Sequence, residues 1–158
     1  MSPIGGTVNL GVTVIRSRHS VRKYKDNPIE EKIIKDALDC ARLAPTARNE
    51  QPWLFGTVQS RETLRAIADL AENARFIADA PICFVVFGKR DAKYYLEDCC
   101  AATMQLLLAL QAWGGVGTCW VAGGRRRITP RTSGNFSTSR RSIRLYRSCL
   151  QDTPRRSR

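Results

Sequence analysis

The chain has 158 residues, of which 43% are apolar, and a formal net charge of +12. This length fits one domain with a substantial hydrophobic core. No run of about eighteen apolar residues is present, which excludes a membrane-spanning helix, and the opening residues lack the basic start and apolar stretch of a secretory signal. The sequence therefore predicts a cytoplasmic protein.

The positive charge lies almost entirely in one part of the chain. Residues 1–123 carry 15 Lys and Arg against 13 Asp and Glu, whereas residues 124–158 carry 11 against 1. Residues 1–123 are therefore nearly neutral, so the net charge of the whole chain does not by itself indicate a nucleic-acid-binding domain.

The first half of the chain predicts two helices and a loop. A weak first helix covers residues 9–17, and Asn27-Pro28 supplies the capping side chain and first-turn proline of a second helix. One face of this second helix is apolar, through Ile33, Ile34, Ala37, Leu38 and Ala41. The stretch APTARNEQPW, residues 44–53, then ends it.

The second half alternates strands and helices. A strand over 53–59 precedes Ser60, a plausible cap for a helix over 61–78. The run ICFVVFG predicts a strand buried on both faces, and residues 94–113 predict a long central helix that is apolar nearly all round. This alternation favours an α+β or α/β sandwich.

Six cysteines occur without a CxxC pair. Five fall inside predicted elements, and we interpret them as small buried hydrophobic residues in a reducing compartment, not as disulfide or zinc ligands. These five are Cys40, Cys83, Cys99, Cys100 and Cys119, while Cys149 lies near the C-terminus.

Three segments are candidates for binding chemistry. RSRHSVR, residues 16–22, offers arginine forks and serine hydroxyls for a phosphate, or else forms a solvated basic turn. APTARNEQPW offers Thr46, Asn49 and Gln51 on a proline-stiffened backbone that suits a planar polar ring, or else simply ends a helix. GGVGTCWVAGG follows a helix and opens none, so it is not a dinucleotide fingerprint; its glycines allow close approach to a ligand or form a helix cap.

Taken in order, these segments resemble the nitroreductase family of FMN-dependent oxidoreductases, particularly its compact members. SRHSVRKYKDNPI is similar to the family's phosphate-binding segment and APTARNEQPW to its second flavin motif. DCCAATMQLLLALQAWGGVGTCWVAG is similar to its central helix and following turn. The resemblance covers residues 10–123.

The resemblance implies a three-layer α+β sandwich with a mixed or antiparallel central sheet flanked by helices. It implies a homodimer with FMN at the subunit interface. The residues expected to bind FMN form three groups. The first group, expected to bind the phosphate and ribityl chain, is Arg18, His19, Ser20 and Arg22. The second group, expected to approach the ring from the partner subunit, is Pro45, Thr46, Ala47, Asn49 and Gln51. The third group, whose backbone is expected near the reactive N5 edge, is Val121, Ala122 and Gly123.

The implied activity is ping-pong transfer of hydride from NADH or NADPH to nitroaromatics, quinones or related acceptors. Flavin carries that chemistry itself, which agrees with the lack of an acid–base pair, triad or metal cluster in the sequence. We therefore expect no catalytic side chain and no metal. One alternative is a flavin-binding protein without turnover. Another is a nucleic-acid-binding protein that acts through Arg125–Arg127 and Arg140-Arg141. The near-neutral charge of residues 1–123 and the absence of a recognition motif disfavour this second alternative.

Residues 124–158 depart from the family pattern. They lack a hydrophobic period and are rich in Arg and Ser, so we predict that they form a basic, irregular or disordered tail outside a domain spanning 1–123. We hypothesise that this tail is translated out of frame. With synonymous codon choice, the shifted frame from Arg127 allows NYAEDIRELLNVPEEYK and, one position later, LPLVPAGYP, which is a helix, a strand and a GYP turn in the family's order.

Overall fold

The computed structural model describes residues 9–70, 73–115, 118–122 and 143–146, with the backbone alone for Leu70 and for the last two ranges. Helix α1 (Leu10–Ser17) begins at Asn9, whose side chain accepts the Val12 N–H at 3.1 Å. The weak first helix is thus confirmed.

Helix α2 (Glu31–Arg42) starts later than predicted. The cap is Glu30, whose carbonyl accepts the N–H groups of Ile33 and Ile34, so the prediction of a start at Asn27-Pro28 is wrong. Asn27 and Pro28 instead belong to a stretch without regular structure over residues 18–30. The later start still buries the predicted stripe, through Ile34, Ala37, Leu38 and Ala41.

Helix α3 (Arg61–Leu70) is shorter than predicted. Its cap at Ser60 is confirmed, since the Ser60 Oγ accepts the Thr63 N–H at 3.4 Å and its carbonyl accepts the Leu64 N–H at 2.9 Å. The predicted continuation to residue 78 is wrong, because a separate 3-10 turn covers Arg75–Asp79. This break lets Ile77 pack in the same core cluster as Leu64.

Helix α4 (Tyr95–Ala112) runs for 18 residues. From Cys99 onward its buried residues recur every three or four positions, at Cys99, Ala102, Leu106 and Leu110, and Asp98 is buried beside Cys99. The helix ends in a Schellman motif, in which Gly115 N–H donates to the Leu110 carbonyl and Gly114 N–H to the Gln111 carbonyl. Both glycines have positive φ, 89° and 79°, so the first glycines of GGVGTCWVAGG form the helix cap.

The four described strands form one mixed sheet in the order β3-β2-β1-β4. Its strands are β1 (Trp53–Val58), β2 (Cys83–Gly88), β3 (Thr118–Ala122) and β4 (Ile143–Tyr146). β1 pairs antiparallel with β2 and β4, whereas β2 and β3 are parallel and joined through α4. β4 falls within the tail predicted to be irregular, and over these four residues the structure differs from that expectation.

Two core clusters give the molecule three layers. Phe84 and Val86 face a cluster that contains α2 and α4, whereas Cys83 and Val85 face one that contains α3 and the 75–79 turn. The alternation follows from the two-residue period of a strand. The predicted three-layer α+β sandwich with a mixed sheet is therefore confirmed. Among the described residues, no helix is long and apolar enough to cross a membrane.

The cysteine prediction holds only in part. Cys83 and Cys99 are buried, but Cys40 and Cys100 are exposed, because they lie on the outer faces of α2 and α4. The side chain of Cys119 and the whole of Cys149 lie outside the described residues.

Candidate functional site

The loop between α2 and β1 is held by its own hydrogen bonds. A 3-10 turn covers Ala47–Asn49, and the Thr46 Oγ1 accepts the Gln51 N–H at 3.2 Å. The Gln51 Nε2 donates to the Asn49 Oδ1 at 3.1 Å. The predicted ring-binding residues are therefore fixed relative to one another, while Pro45 and Asn49 stay exposed and Thr46, Ala47 and Gln51 half-buried.

The same loop has a strained backbone. Arg48, Asn49 and Gln51 adopt positive φ values of 57°, 56° and 48°. For residues with a Cβ this region costs about 1–2 kcal/mol each, although Asn tolerates it better. Such conformations persist only where the surroundings over-determine them, and they cluster at functional sites.

One buried carboxylate holds the loop from outside. Asp98 of α4 is only 6% exposed, and its Oδ1 accepts the Ala47 N–H at 3.0 Å across 51 residues of sequence. The loop therefore lies against the N-terminal end of α4.

A cavity of about 620 Å³ opens beside this loop. Gln51 lines it, and much of the remaining wall is apolar, from Pro52, Trp53, Leu54 and Phe87. Its volume lies within the range of small-molecule sites, about 300–1,000 Å³. The Trp53 Nε1 is buried and has no hydrogen-bond partner within the part of the chain that the structure describes.

The end of β3 lies on the same edge of the sheet as this cavity. Ala122 pairs with Phe87 in the parallel register, and Phe87 pairs with Leu54 in the antiparallel one. The backbone of the predicted residues Val121 and Ala122 is thus two strands, or about 10 Å, from the start of β1. Gly123, the third predicted residue of that group, lies outside the described residues.

The predicted phosphate-binding segment lies elsewhere. Ser17, at the end of α1, accepts a hydrogen bond from the Gln111 Nε2 at 3.3 Å, near the C-terminal end of α4. A second cavity of about 430 Å³ lies there, and His19 and Gln111 both line it.

The four predicted phosphate ligands are positioned differently from one another. Arg18 is half-buried, whereas His19, Ser20 and Arg22 are exposed. The His19 Nδ1 lies 3.0 Å from the Ser17 carbonyl oxygen, and the Arg22 guanidinium lies 5.8 Å from the centre of the Phe76 ring. These side chains are accessible to an anion.

The two polar segments are therefore separated within one chain. Their contacts with α4, at Asp98 and Gln111, are thirteen residues apart, or about 20 Å along the helix. Neither of the two cavities is lined by both segments. Across the described ranges, no hydrogen bond or ion pair joins residues 18–22 to residues 45–51.

Cysteine chemistry does not fit this region. Burial, reinforced by Cys100 and Asp98, raises the pKa of the Cys99 thiol to about 11, so the thiol is protonated near neutral pH. Burial and the nearby Asp36 and Asp39 also raise the pKa of Cys40. Neither thiol is a ready nucleophile. Among the described residues, no cluster of metal-ligating side chains is present.

Sequence reasoning missed two features of the site. Asp98 was not singled out, although an acid on the inner face of an otherwise apolar helix is itself a signal. The sequence predicts Trp53 and Phe87 as strand residues and does not show that they form cavity walls. Their position at the strand ends follows from the register, which the sequence alone does not show.

Comparisons with known proteins identify the class. A family model described as "Nitroreductase family" matches residues 15–75. "Putative NAD(P)H nitroreductase YfhC" of Bacillus subtilis (strain 168) is 32% identical over 131 residues, which cover 70% of this chain and 68% of that protein. An FMN-dependent nitroreductase structure from Clostridium difficile R20291 aligns with a TM-score of 0.63 at 26% identity, covering 65% of this chain and 61% of that one.

This chain belongs to the nitroreductase family. A further relative, "Putative NADH dehydrogenase/NAD(P)H nitroreductase" of Methanothermobacter thermautotrophicus, is 33% identical over 110 residues. That match covers 67% of this chain but only 57% of the relative, so this chain spans little more than half of that protein's length.

Proposed function

We propose that this protein is an FMN-dependent oxidoreductase that transfers hydride from NADH or NADPH to nitroaromatic, quinone or related acceptors in ping-pong order. The observation that carries the proposal is the strained, amide-rich loop beside an apolar cavity, in a chain of the nitroreductase family. The names of its relatives support the donor, and the name of the Clostridium difficile structure supports the flavin.

The residues beside the cavity fit a flavin ring. An isoalloxazine has broad apolar faces and a polar edge of carbonyl and ring-nitrogen groups. The walls from Trp53 and Phe87 match the faces, and the Gln51 amide, which is hydrogen-bonded to that of Asn49, matches the edge. The backbone of Val121, Ala122 and Gly123 is proposed to serve the reactive N5 edge of the ring. This fixed polar frame would orient the ring and exclude water from one side.

The basic segment fits the phosphate. Arg18 and Arg22 present guanidinium groups that bind phosphate oxygens in a fork, and the Ser20 hydroxyl and His19 add hydrogen-bonding groups. The exposure of His19, Ser20 and Arg22 leaves them accessible to a dianion. When bound, FMN supplies the hydride chemistry, so the chain itself needs no catalytic side chain.

Two copies of the chain would complete each site. The phosphate segment and the ring loop lie at opposite ends of α4, so one copy would supply residues 18–22 and the other residues 45–51. An exposed apolar surface is available for such a homodimer: Leu10 is 76% exposed, Ile15 61% and Met104 50%, on α1 and α4. Surface of this kind on packed helices marks protein interfaces.

The domain is proposed to end near residue 123, with residues 124–158 read out of frame. The pairing of β4 with β1 is compatible with this, because ladder hydrogen bonds are made by the backbone and tolerate many sequences. Sequencing of the coding DNA tests the proposal. A shifted frame with early stop codons or unrelated residues would rule it out.

An absorption spectrum tests the proposed activity. The purified protein is incubated with FMN, dialysed and scanned; a retained band near ~450 nm that NADH or NADPH bleaches is the expected result. A retained band that neither donor bleaches would indicate a flavin-binding protein without turnover. If no flavin is retained, a frame-corrected chain is tested in the same way, and its failure to bind FMN would contradict the proposal.

A further inference from the structure

Asp98 is the one buried acidic side chain in the described part of the chain, at 6% exposure. Placing a carboxylate in the interior costs free energy unless partners compensate for it, so stability alone would favour an apolar residue at this position. Over residues 9–70 and 73–115, no Lys or Arg forms an ion pair with it. Its described side-chain partner is the Ala47 N–H, at 3.0 Å.

That N–H has a defined place in the loop. Ala47 is the first residue of the 3-10 turn, and the residue before it, Thr46, makes no side-chain cap hydrogen bond. The first N–H groups of a helical turn need an acceptor, and an anion is the strongest one. Asp98 therefore caps this turn from a different element of the fold.

The Asp98 carboxylate does not cap its own helix, α4. Residue Tyr94 caps α4 without a side-chain hydrogen bond, and Asp98 lies in the first turn beyond it. Because α4 is packed against α2 and the sheet, its Asp98 gives the strained loop a rigid reference point.

We propose that Asp98 is a positioning residue for the cofactor: its carboxylate holds the turn over Ala47–Asn49 so that Asn49 and Gln51 are in place before the flavin ring binds. The inference rests on the proposed function, since it concerns the same site. Asp98 touches neither the ring-binding amides nor the phosphate segment, so it acts through the Ala47 backbone alone.

Three variants separate positioning from general stability. Asp98→Ala removes the acceptor, Asp98→Asn keeps an acceptor oxygen of nearly the same size, and Glu97→Ala removes the neighbouring exposed charge as a matched control. We expect Asp98→Ala to weaken the binding of FMN and of riboflavin by the same factor, about tenfold or more, as expected for loss of a hydrogen bond to a charged group. Asp98→Asn should recover most of this affinity, and Glu97→Ala should leave it unchanged.

A second readout does not depend on flavin. Hydrogen exchange of the Ala47 amide, measured by NMR on the protein without ligand, should be at least about tenfold faster in Asp98→Ala than in the wild type and the Glu97→Ala control. Equal exchange in all three proteins would overturn the inference. If neither the wild type nor the frame-corrected chain binds flavin, yet Ala47 exchange responds to Asp98→Ala, the proposed function fails while the role of Asp98 in holding the turn stands. If wild type binds flavin and Asp98→Ala binds it equally well, the inference fails and the proposed function stands.

Discussion

The two ends of α4 lie beside the two segments that are proposed to share the flavin site, called here the ring half-site (residues 45–51) and the phosphate half-site (residues 18–22). At its N-terminal end, the loop over residues 45–51 is strained, internally hydrogen-bonded and tied to a buried carboxylate. At its C-terminal end, residues 18–22 are mostly exposed, basic and outside regular structure. A planar ring needs fixed donors and acceptors, whereas a phosphate needs only accessible charge. The difference in rigidity matches the difference in proposed ligand.

The largest effect is expected from separating the two half-sites. Met104→Arg places a charge on the exposed apolar face of α4, where a partner subunit would bury it without a counter-charge. We expect a monomer by analytical ultracentrifugation and FMN binding weakened by more than about 100-fold, since the proposed site takes residues from both chains. Glu62→Arg, on the exposed face of α3 in the opposite layer, is the control and should leave both unchanged. A monomeric Met104→Arg protein with normal FMN affinity would show that one chain forms the whole site.

A smaller effect should distinguish the phosphate half from the ring half. Arg18→Ala removes a charge-assisted contact, so FMN binding should weaken by about 10- to 100-fold while riboflavin, which has no phosphate, binds as before. Fluorescence titration with each flavin measures this. Arg16→Ala, which removes an arginine two positions away, should change neither affinity. Equal losses for the two flavins would mean that Arg18 does not bind the phosphate.

The smallest effect concerns the strain in the loop. Arg48 has a φ of 57°, and its contact with Glu50 is long, at 3.9 Å between exposed side chains. Arg48→Gly should therefore raise the free energy of unfolding by about 0.5–1 kcal/mol, measured by urea denaturation. Arg65→Gly, in the middle of α3, should lower it by about 1 kcal/mol, because glycine is unfavourable in a helix interior. A destabilising Arg48→Gly would show that the left-handed backbone is not strained.

Helices and strands whose apolar residues recur with a strong period could be predicted from the sequence. The boundaries of α2 and α3 could not, because tertiary contacts set them. The start at Asn27-Pro28 satisfied local capping rules, but Glu30 begins α2 in the structure. The separate turn at Arg75–Asp79 buries Ile77 against a sheet face that no local pattern reveals.

The candidate site shows the same limit. APTARNEQPW could be recognised as a polar, stiff loop from its residues, and the family follows from its order with the basic segment. The separation of these two segments along α4 could not be predicted from the sequence, because it depends on which end of the helix each segment contacts. The role of Asp98 likewise depends on a hydrogen bond between residues 51 positions apart.

Complementation between two defective chains tests most directly whether the site is divided between two copies. Arg18→Ala and Gln51→Ala each damage a different half-site, so a heterodimer of the two has one site with both defects and one intact site. Mixing them after unfolding and refolding should restore tight FMN binding to about a quarter of all sites, since about half of the dimers are heterodimers. If each chain carried a complete site of its own, every site in the mixture would keep one defect, and the absence of any recovery would contradict the account.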